Sequence, residues 1–302
     1  MKILVTGSTG LVGSALIPAL ATGGHGVTRL VRSQPKPGAA EVRWDPVART
    51  VDSAGLEGVD AVVHLAGESI AAGRWTTEKK GRIRDSRVKG TRLLCESLAR
   101  LAQPPQAIVC ASAIGYYGDR GEERLREESP AGLGFLAEVC REWETAAEPA
   151  RQRGIRVVHL RIGVVLSPAG GALAQMLFPF RMGLGGRLGS GKQYLSWIAI
   201  DDLVSVILHV LTTTTLQGPV NAVAPNPVTN LEFTRTLGRV LARPTIFPMP
   251  AVAARLAFGE MADELLLASA RVEPTRLVAT GYQFRHPELE GALRHLLGRI
   301  KR

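Results

Sequence analysis

Cysteine is scarce in this chain of 302 residues, which holds only Cys95, Cys110 and Cys140, an odd number with no CxxC spacing. That excludes a disulfide framework or a zinc ribbon and fits reduced core thiols. Aromatic residues make up 5% and are not interleaved with the basic ones, which argues against a nucleic-acid partner. No apolar run approaches the ~20 residues of a membrane span, so no membrane partner is expected. The opening MKILVTG passes from an apolar strand straight into a glycine turn, without the basic region, apolar core and cleavage site of a secretory signal. The expected location is cytoplasmic. Acid is the last shortage, with 27 Asp and Glu against 37 Lys and Arg, a net charge of +10. That balance suits nucleic acid, an acidic surface or an anionic ligand, and the total does not choose among them.

The remaining composition, 45% apolar and 21% charged, is that of a folded chain of one large or two modest domains. Short β-branched runs alternate with helical stretches through the first two-thirds. Strands are expected at Lys2–Thr6, Gly26–Arg32, Glu41–Trp44, Asp60–Ala66, Ala107–Ser112 and Arg156–Gly163, with helices over 11–22, 78–101 and 131–153. Several strands are continuous apolar runs, such as Ile3-Leu4-Val5 and Ala61-Val62-Val63, the pattern of a parallel sheet covered on both faces. The fold class is therefore α/β, a Rossmann-like doubly wound parallel sheet over residues 1–165. Residues 167–196 are rich in glycine and read as a loop-rich lid rather than a regular unit. Residues 196–222 return to the strand and helix pattern. Helical periodicity at Asn230–Leu241, Val252–Leu267 and Pro287–Leu297 then points to a smaller, mainly helical lobe, so that 166–195 and 223–302 form the lid and the substrate side.

The segment Gly7-Ser8-Thr9-Gly10-Leu11-Val12-Gly13 places GxxGxxG after a strand and at the start of a helix. The first glycine permits a tight turn, the second lets backbone approach a pyrophosphate, and the third lets helix pack on strand. The helix N-terminus then offers unpaired N–H groups to the anion. Where an NAD-binding chain carries Asp or Glu to hold the ribose 2′-hydroxyl, the second strand here ends in Arg32 and Ser33. A cation and a hydroxyl suit a 2′-phosphate, which favours NADP over NAD; the alternative is a surface arginine. Asp45 ends the third strand and Leu65-Ala66-Gly67 the fourth, where adenine and ribose contacts are expected.

With these glycines, His64-Leu65-Ala66-Gly67, Val88-Lys89-Gly90-Thr91, Ser112 and the run Trp197-Ile198-Ala199-Ile200-Asp201-Asp202-Leu203, the chain resembles the extended short-chain dehydrogenase/reductases, which include nucleotide-sugar epimerases and dehydratases. It is most similar to the atypical branch called epimerase family proteins, through Gly115-Tyr116-Tyr117-Gly118-Asp119, Phe135-Leu136-Ala137-Glu138-Val139-Cys140 with Trp143, and Gly183-Leu184-Gly185-Gly186. That branch's C-terminal extension is matched by Gly259-Glu260-Met261-Ala262 and Gly281-Tyr282-Gln283-Phe284. The resemblance implies nicotinamide chemistry on a small molecule held between two lobes, and is compatible with a homodimer.

The superfamily's Tyr-x-x-x-Lys pair, in which lysine lowers the tyrosine pKa for proton exchange, is absent. Leu136 and Cys140 stand in the two places. Ser112 matches the serine that hydrogen-bonds the reacting oxygen; its alternative is a strand-end cap. Tyr116 brings a phenol to the site from another direction, or packs under the lid. Cys140 is a thiol near the nicotinamide or a small buried helix residue, and Glu68 a base, a ribose ligand or a solvated carboxylate. Asp201 and Asp202 are expected to cap and orient the following helix. Trp197, Gln193, Phe180 and Arg181 are within reach of the substrate cleft, with core packing the simpler role for Trp197 and Phe180. No metal site is expected.

Residues 74–92 hold eight basic and two acidic residues. The helical column Val88, Thr91, Cys95 and Leu98 extends back to Arg84, with Lys80 and Arg87 beside it. Arg84 and Arg87 are thus expected to face the cofactor edge of the sheet, Arg87 standing where the resembled family has an asparagine that supports the proton relay. Each needs an anionic partner, either a ligand phosphate or carboxylate or an internal acid. Two functions follow: an NADP-dependent enzyme acting on an anionic small molecule, or a non-catalytic NADP-binding sensor or interaction protein.

Overall fold

The computed structural model describes residues 1–299. Its first half runs β1 (Lys2–Thr6), α1 (Leu11–Thr22), β2 (Gly26–Val31), β3 (Glu41–Asp45), β4 (Thr50–Val51), β5 (Ala61–His64), α2 (Thr77–Ala99), β6 (Ala107–Ala113), β7 (Arg124–Leu125), α3 (Phe135–Thr145) and α4 (Glu148–Gln152). The second half runs β8 (Arg156–Ile162), β9 (Val164–Leu166), α5 (Gly171–Arg181), β10 (Tyr194–Leu195), β11 (Trp197–Ala199), α6 (Ile200–Thr212), β12 (Gly218–Ala222), β13 (Val228–Thr229), α7 (Asn230–Leu241), α8 (Ala251–Phe258), β14 (Arg271–Val272), α9 (Thr275–Ala279) and α10 (Leu289–Leu296).

Eight strands form one sheet in the order β12-β8-β6-β5-β1-β2-β3-β4. Every pairing from β12 to β3 is parallel, and β4 adds an antiparallel edge. The chain winds outward from β1 to β3, then returns to β5 on the other side of β1. That reversal opens a crevice at the carboxyl ends of β1 and β5, the usual ligand position in such sheets. Alternate residues of each strand feed opposite layers. Ile3 and Val5 join Leu16, Leu20, Leu203 and Ile207 under α1 and α6, while Leu4 joins Leu94, Leu98 and Ala150 under α2 and α4.

A third core of Leu173, Leu177, Phe180, Trp197, Phe233, Leu237 and Leu293 unites α5, α7 and α10. Here the glycine-rich stretch differs from its expected loop character, since Gly171–Arg181 is a helix with Leu173, Leu177 and Phe180 buried on one face. The loop begins only at Gly183, whose φ is +75°. The helix expected over 131–153 starts at Phe135 and breaks before α4. Pro149 causes the break, because its ring excludes the carbonyl four residues earlier. Gly259, at φ +63°, likewise divides Val252–Leu267 into α8 and a π-helical segment, Ala262–Leu267.

Candidate functional site

Gly7 leaves β1 at φ +65°, a conformation that side chains strain. A β-carbon there would stand 2.8 Å from the Leu65 carbonyl, and one on Gly13 would stand 2.2 Å from the Gly7 oxygen. The turn therefore closes against β5 and α1 only because both positions lack side chains. Ser8 is buried, while Thr9 and Gly10 are exposed and Leu11 and Val12 half-buried. Gly10 begins α1 with no side-chain cap and no acid in the first turn. The N–H groups of Leu11 and Val12 are left for an anion.

Arg32 and Ser33 follow β2 directly and are exposed. Arg32 has no hydrogen-bond or ion-pair partner among the described residues. Asp45, at the end of β3, accepts N–H bonds from Val47 and Ala48 through Oδ1 at 2.9 and 3.0 Å. Those bonds hold its carboxyl below the usual range, with help from Arg43 and Arg32. A cradle of backbone N–H groups and a cation that forms no hydrogen bond or ion pair among the described residues fit the pyrophosphate and 2′-phosphate of a phosphorylated dinucleotide.

Opposite the glycine turn, Leu65, Ala66 and Gly67 are fixed by a buried network that the sequence did not reveal. Thr6 Oγ1 accepts from the N–H groups of Leu65 and Ala66 at 3.0 and 3.1 Å. With both lone pairs filled, its own proton goes to His64 Nδ1, 2.8 Å away, and His64 Nε2–H donates to Thr91 Oγ1 at 2.9 Å. Trp143 Nε1 donates to the same Thr91 oxygen at 2.9 Å. This arrangement accommodates only a neutral imidazole, and burial lowers the His64 pKa to about 4.

The cations of α2 meet protein acids more often than expected. Glu68 receives Lys79 Nζ at 2.6 Å, and that bond pulls its carboxyl below the usual range. Lys80 pairs with Glu260 at 2.7 Å. Arg84, expected at the cofactor edge, instead lies against Glu138 and Glu142 of α3 at 3.2 and 3.1 Å, so its anionic partner is internal. The excess read from residues 74–92 is thus partly neutralised by acids outside that segment. Arg87, like Arg74 and Arg92, forms no ion pair among the described residues. Its Nη1 donates to the carbonyls of Glu68 and Ile83 at 3.0 and 3.2 Å, and its guanidinium lies 5.0 Å from the Trp143 ring centroid. A β-carbon on Gly67 would stand 3.4 Å from that guanidinium. No carboxylate among the described residues lies within ion-pair distance of it.

Across the cleft, the face of α3 that carries Leu136 and Cys140 continues one turn on to Glu144, at the helical spacing of four. Glu144 and the buried Arg161 form a two-point pair, Nε to Oε1 at 2.8 Å and Nη2 to Oε2 at 2.9 Å. Ser112 is 2% exposed, and its hydroxyl donates to the same Oε1 at 2.8 Å. It joins a closed pair rather than pointing freely into the cleft. Burial, reinforced by the Glu144 carboxylate, pushes the Cys140 thiol up to about 12. Tyr117 is buried, 2.7 Å from Asn221 Oδ1, whereas Tyr116 is half-buried with its ring 3.5 Å from the Arg161 guanidinium carbon. The Tyr116 hydroxyl has no hydrogen-bond partner among the described residues.

The family model for the NAD dependent epimerase/dehydratase family matches residues 3–222, and one for a domain of unknown function, DUF1731, matches residues 249–296. An epimerase family protein of Mycobacterium tuberculosis, MT2273, is 46% identical over 291 residues, 96% of each chain. The chain belongs to the NAD dependent epimerase/dehydratase family. The human epimerase family protein SDR39U1 is 39% identical over 300 residues, 98% of this chain and 100% of that one. A crystal structure of its isoform 2 with NADPH superposes with a TM-score of 0.90 at 37% identity, covering 99% and 100% of the two chains. The UDP-glucose 4-epimerase of Thermotoga maritima, at 19% identity and a TM-score of 0.78 over 99% and 98%, shares the fold.

For this family member, several lobe residues have structural places. Trp197 is fully buried and donates to the Asn226 carbonyl. Phe180 is core, and Arg181 is exposed with its carbonyl accepting from Arg243. Gln193 Nε2 bridges the Leu188 and Leu266 carbonyls. Asp202 holds the backbone N–H groups of Arg285 and His286 rather than capping α6, and Asp201 pairs with His295. The C-terminal extension also reaches the cleft. Glu264 accepts from the N–H groups of Phe135 and Leu136 at 3.1 and 3.2 Å, capping α3 from 128 residues away. No spacing pattern announces that contact, which only the fold brings about.

Proposed function

We propose that this protein binds NADPH, in preference to NADH, across the crevice between β1 and β5, and exchanges a hydride with an anionic small molecule held between the sheet and the C-terminal lobe. Arg32 carries the reading, as a guanidinium with no hydrogen-bond or ion-pair partner among the described residues at the end of β2, where the alternative cofactor asks for a carboxylate. In this reading the turn from Gly7 to Gly13 holds the pyrophosphate through the N–H groups of Leu11 and Val12, Arg32 and Ser33 hold the 2′-phosphate, and Asp45 with Leu65, Ala66, Gly67 and Glu68 the adenosine and ribose side. NADPH, when bound, supplies the hydride. Tyr116 presents a free phenol on a ring fixed by Arg161 and serves as proton donor, while Ser112 positions Glu144 and Arg161 beneath it. Arg87, whose second terminal nitrogen takes no protein partner among the described residues, receives the substrate's negative group.

Denaturing the purified protein and identifying the released nucleotide tests the cofactor, with NADP(H) expected and NAD(H) alone contradicting it. Oxidation of NADPH against a panel of carbonyl acids then tests the chemistry. Tyr116→Phe is expected to slow turnover by roughly 10²–10⁴-fold with NADPH affinity unchanged; an unimpaired variant assigns the proton elsewhere. One observation favours a second reading, a non-catalytic NADPH-binding protein. Leu136 cannot exchange a proton, Cys140 holds its own well above neutral pH, and Ser112 is bound to Glu144. That reading expects bound NADPH with no oxidation by any substrate tried.

A further inference from the structure

The basic excess is not confined to residues 74–92. Between Glu148 and Asp201, and again between Glu232 and Glu260, the chain has no acidic residue. The two acid-free stretches meet in the fold. Gly189 N–H donates to the Met249 carbonyl, Met249 N–H to the Arg187 carbonyl, and Arg243 Nε to the Arg181 carbonyl. Their shared surface exposes Phe178 (74%), Met182 and Leu184 from the first stretch, and Ile246 (72%) and Phe247 from the second. Helix α8 extends it through Val252 and Leu256, one turn apart on one face and both exposed. Seven large apolar side chains exposed on segments joined in this way mark an interaction surface.

A cavity of about 280 Å³ opens within this face, lined by Arg187 and Arg235 together with Leu231, Thr245, Ile246 and Pro248. Arg187 gives one bond to the Ser190 carbonyl, and Arg235 has no protein partner among the described residues. Two guanidinium groups facing a cavity without an acid call for an anion, and the surrounding side chains call for hydrocarbon.

We infer that this face docks on an anionic phospholipid surface, with Arg187 and Arg235 taking a lipid phosphate in the cavity and Phe178, Ile246 and Leu256 entering the acyl region. One amphiphile answers both features. A soluble phosphate leaves the apolar side chains in water, and a second copy related by a two-fold axis sets Arg181, Arg187, Arg235 and Arg243 against their own kind. Such docking requires no spanning segment, and among the described residues no helix is long and apolar enough to cross a membrane. The absence of apolar runs, from which no membrane partner was expected, therefore bears on crossing and not on peripheral contact.

The test is co-sedimentation of the full-length protein with vesicles of phosphatidylglycerol mixed with phosphatidylcholine, against pure phosphatidylcholine vesicles. Binding to the mixed vesicles and not the neutral ones is expected. Replacing both arginines, R187E with R235E, is expected to weaken that binding by roughly tenfold or more, and Leu256→Ser to weaken it independently. Retained NADPH affinity in each variant certifies the fold; if the serine variant misfolds, Phe178→Ser replaces it. No vesicle binding, or binding untouched by these variants, overturns the inference. So does inorganic phosphate binding at the arginines without vesicle binding, or concentration-dependent dimerisation lost on Leu256→Arg without vesicle binding.

Discussion

The two walls of the cleft are built in different ways. On the β1 and β5 side, the wall is backbone, with glycines whose missing side chains let Gly7 close on Leu65 and Gly13 close on Gly7. On the β6 and α3 side it is side chains, and those present are a leucine, a thiol and the Ser112, Glu144 and Arg161 cluster. The first wall is the one proposed to hold the dinucleotide. The second is a closed ion pair under one free phenol. A backbone cradle and a side-chain relay are thus separable parts, and possession of the first says little about the state of the second.

Substitutions can break this contrast. Glu144→Ala strands a buried guanidinium and is expected to lower stability by about 3–5 kcal/mol, read by denaturant unfolding, with nucleotide affinity of the folded fraction unchanged. A nucleotide affinity that falls in step couples the walls and undoes the distinction. Acid attacks the β5 side through His64. Its folded pKa, about 4, lies below the ordinary value, so the unfolded state binds the extra proton first. Stability is full above about pH 6.5 and falls as pH drops toward 4, by about 3 kcal/mol in total for this group. His64→Gln should flatten that part of the profile; an unchanged profile assigns the acid sensitivity to other groups. Gly13→Ala is expected to lower stability by about 1–3 kcal/mol and to abolish nucleotide binding, measured by calorimetry.

The backbone wall was legible in the sequence because it is local. A glycine turn is local, its residues are contiguous, and β1 and α1 flank it at the expected limits. The helix Asn230–Leu241 was legible too, through its helical periodicity, and in the structure a capping box of Thr229 and Glu232 begins it. The side-chain wall was legible only in what it lacked. Arg84 meets acids 54 residues or more away, Glu68 meets a lysine a helix start later, and Glu264 caps α3 across the two lobes. Periodicity assigns a residue to a face, and the charge on the opposing face comes from topology. Helix α5 was hidden by the glycines at both of its ends, which outweighed the Leu173, Leu177 and Phe180 column between them.

Titration of the purified protein with NADPH and NADH decides whether the intact wall holds a phosphorylated dinucleotide through Arg32. The wild type should prefer NADPH, and Arg32→Ala should lose that preference by roughly tenfold or more while keeping its affinity for NADH. Equal affinity for the two nucleotides in the wild type, or a preference that survives Arg32→Ala, would contradict it.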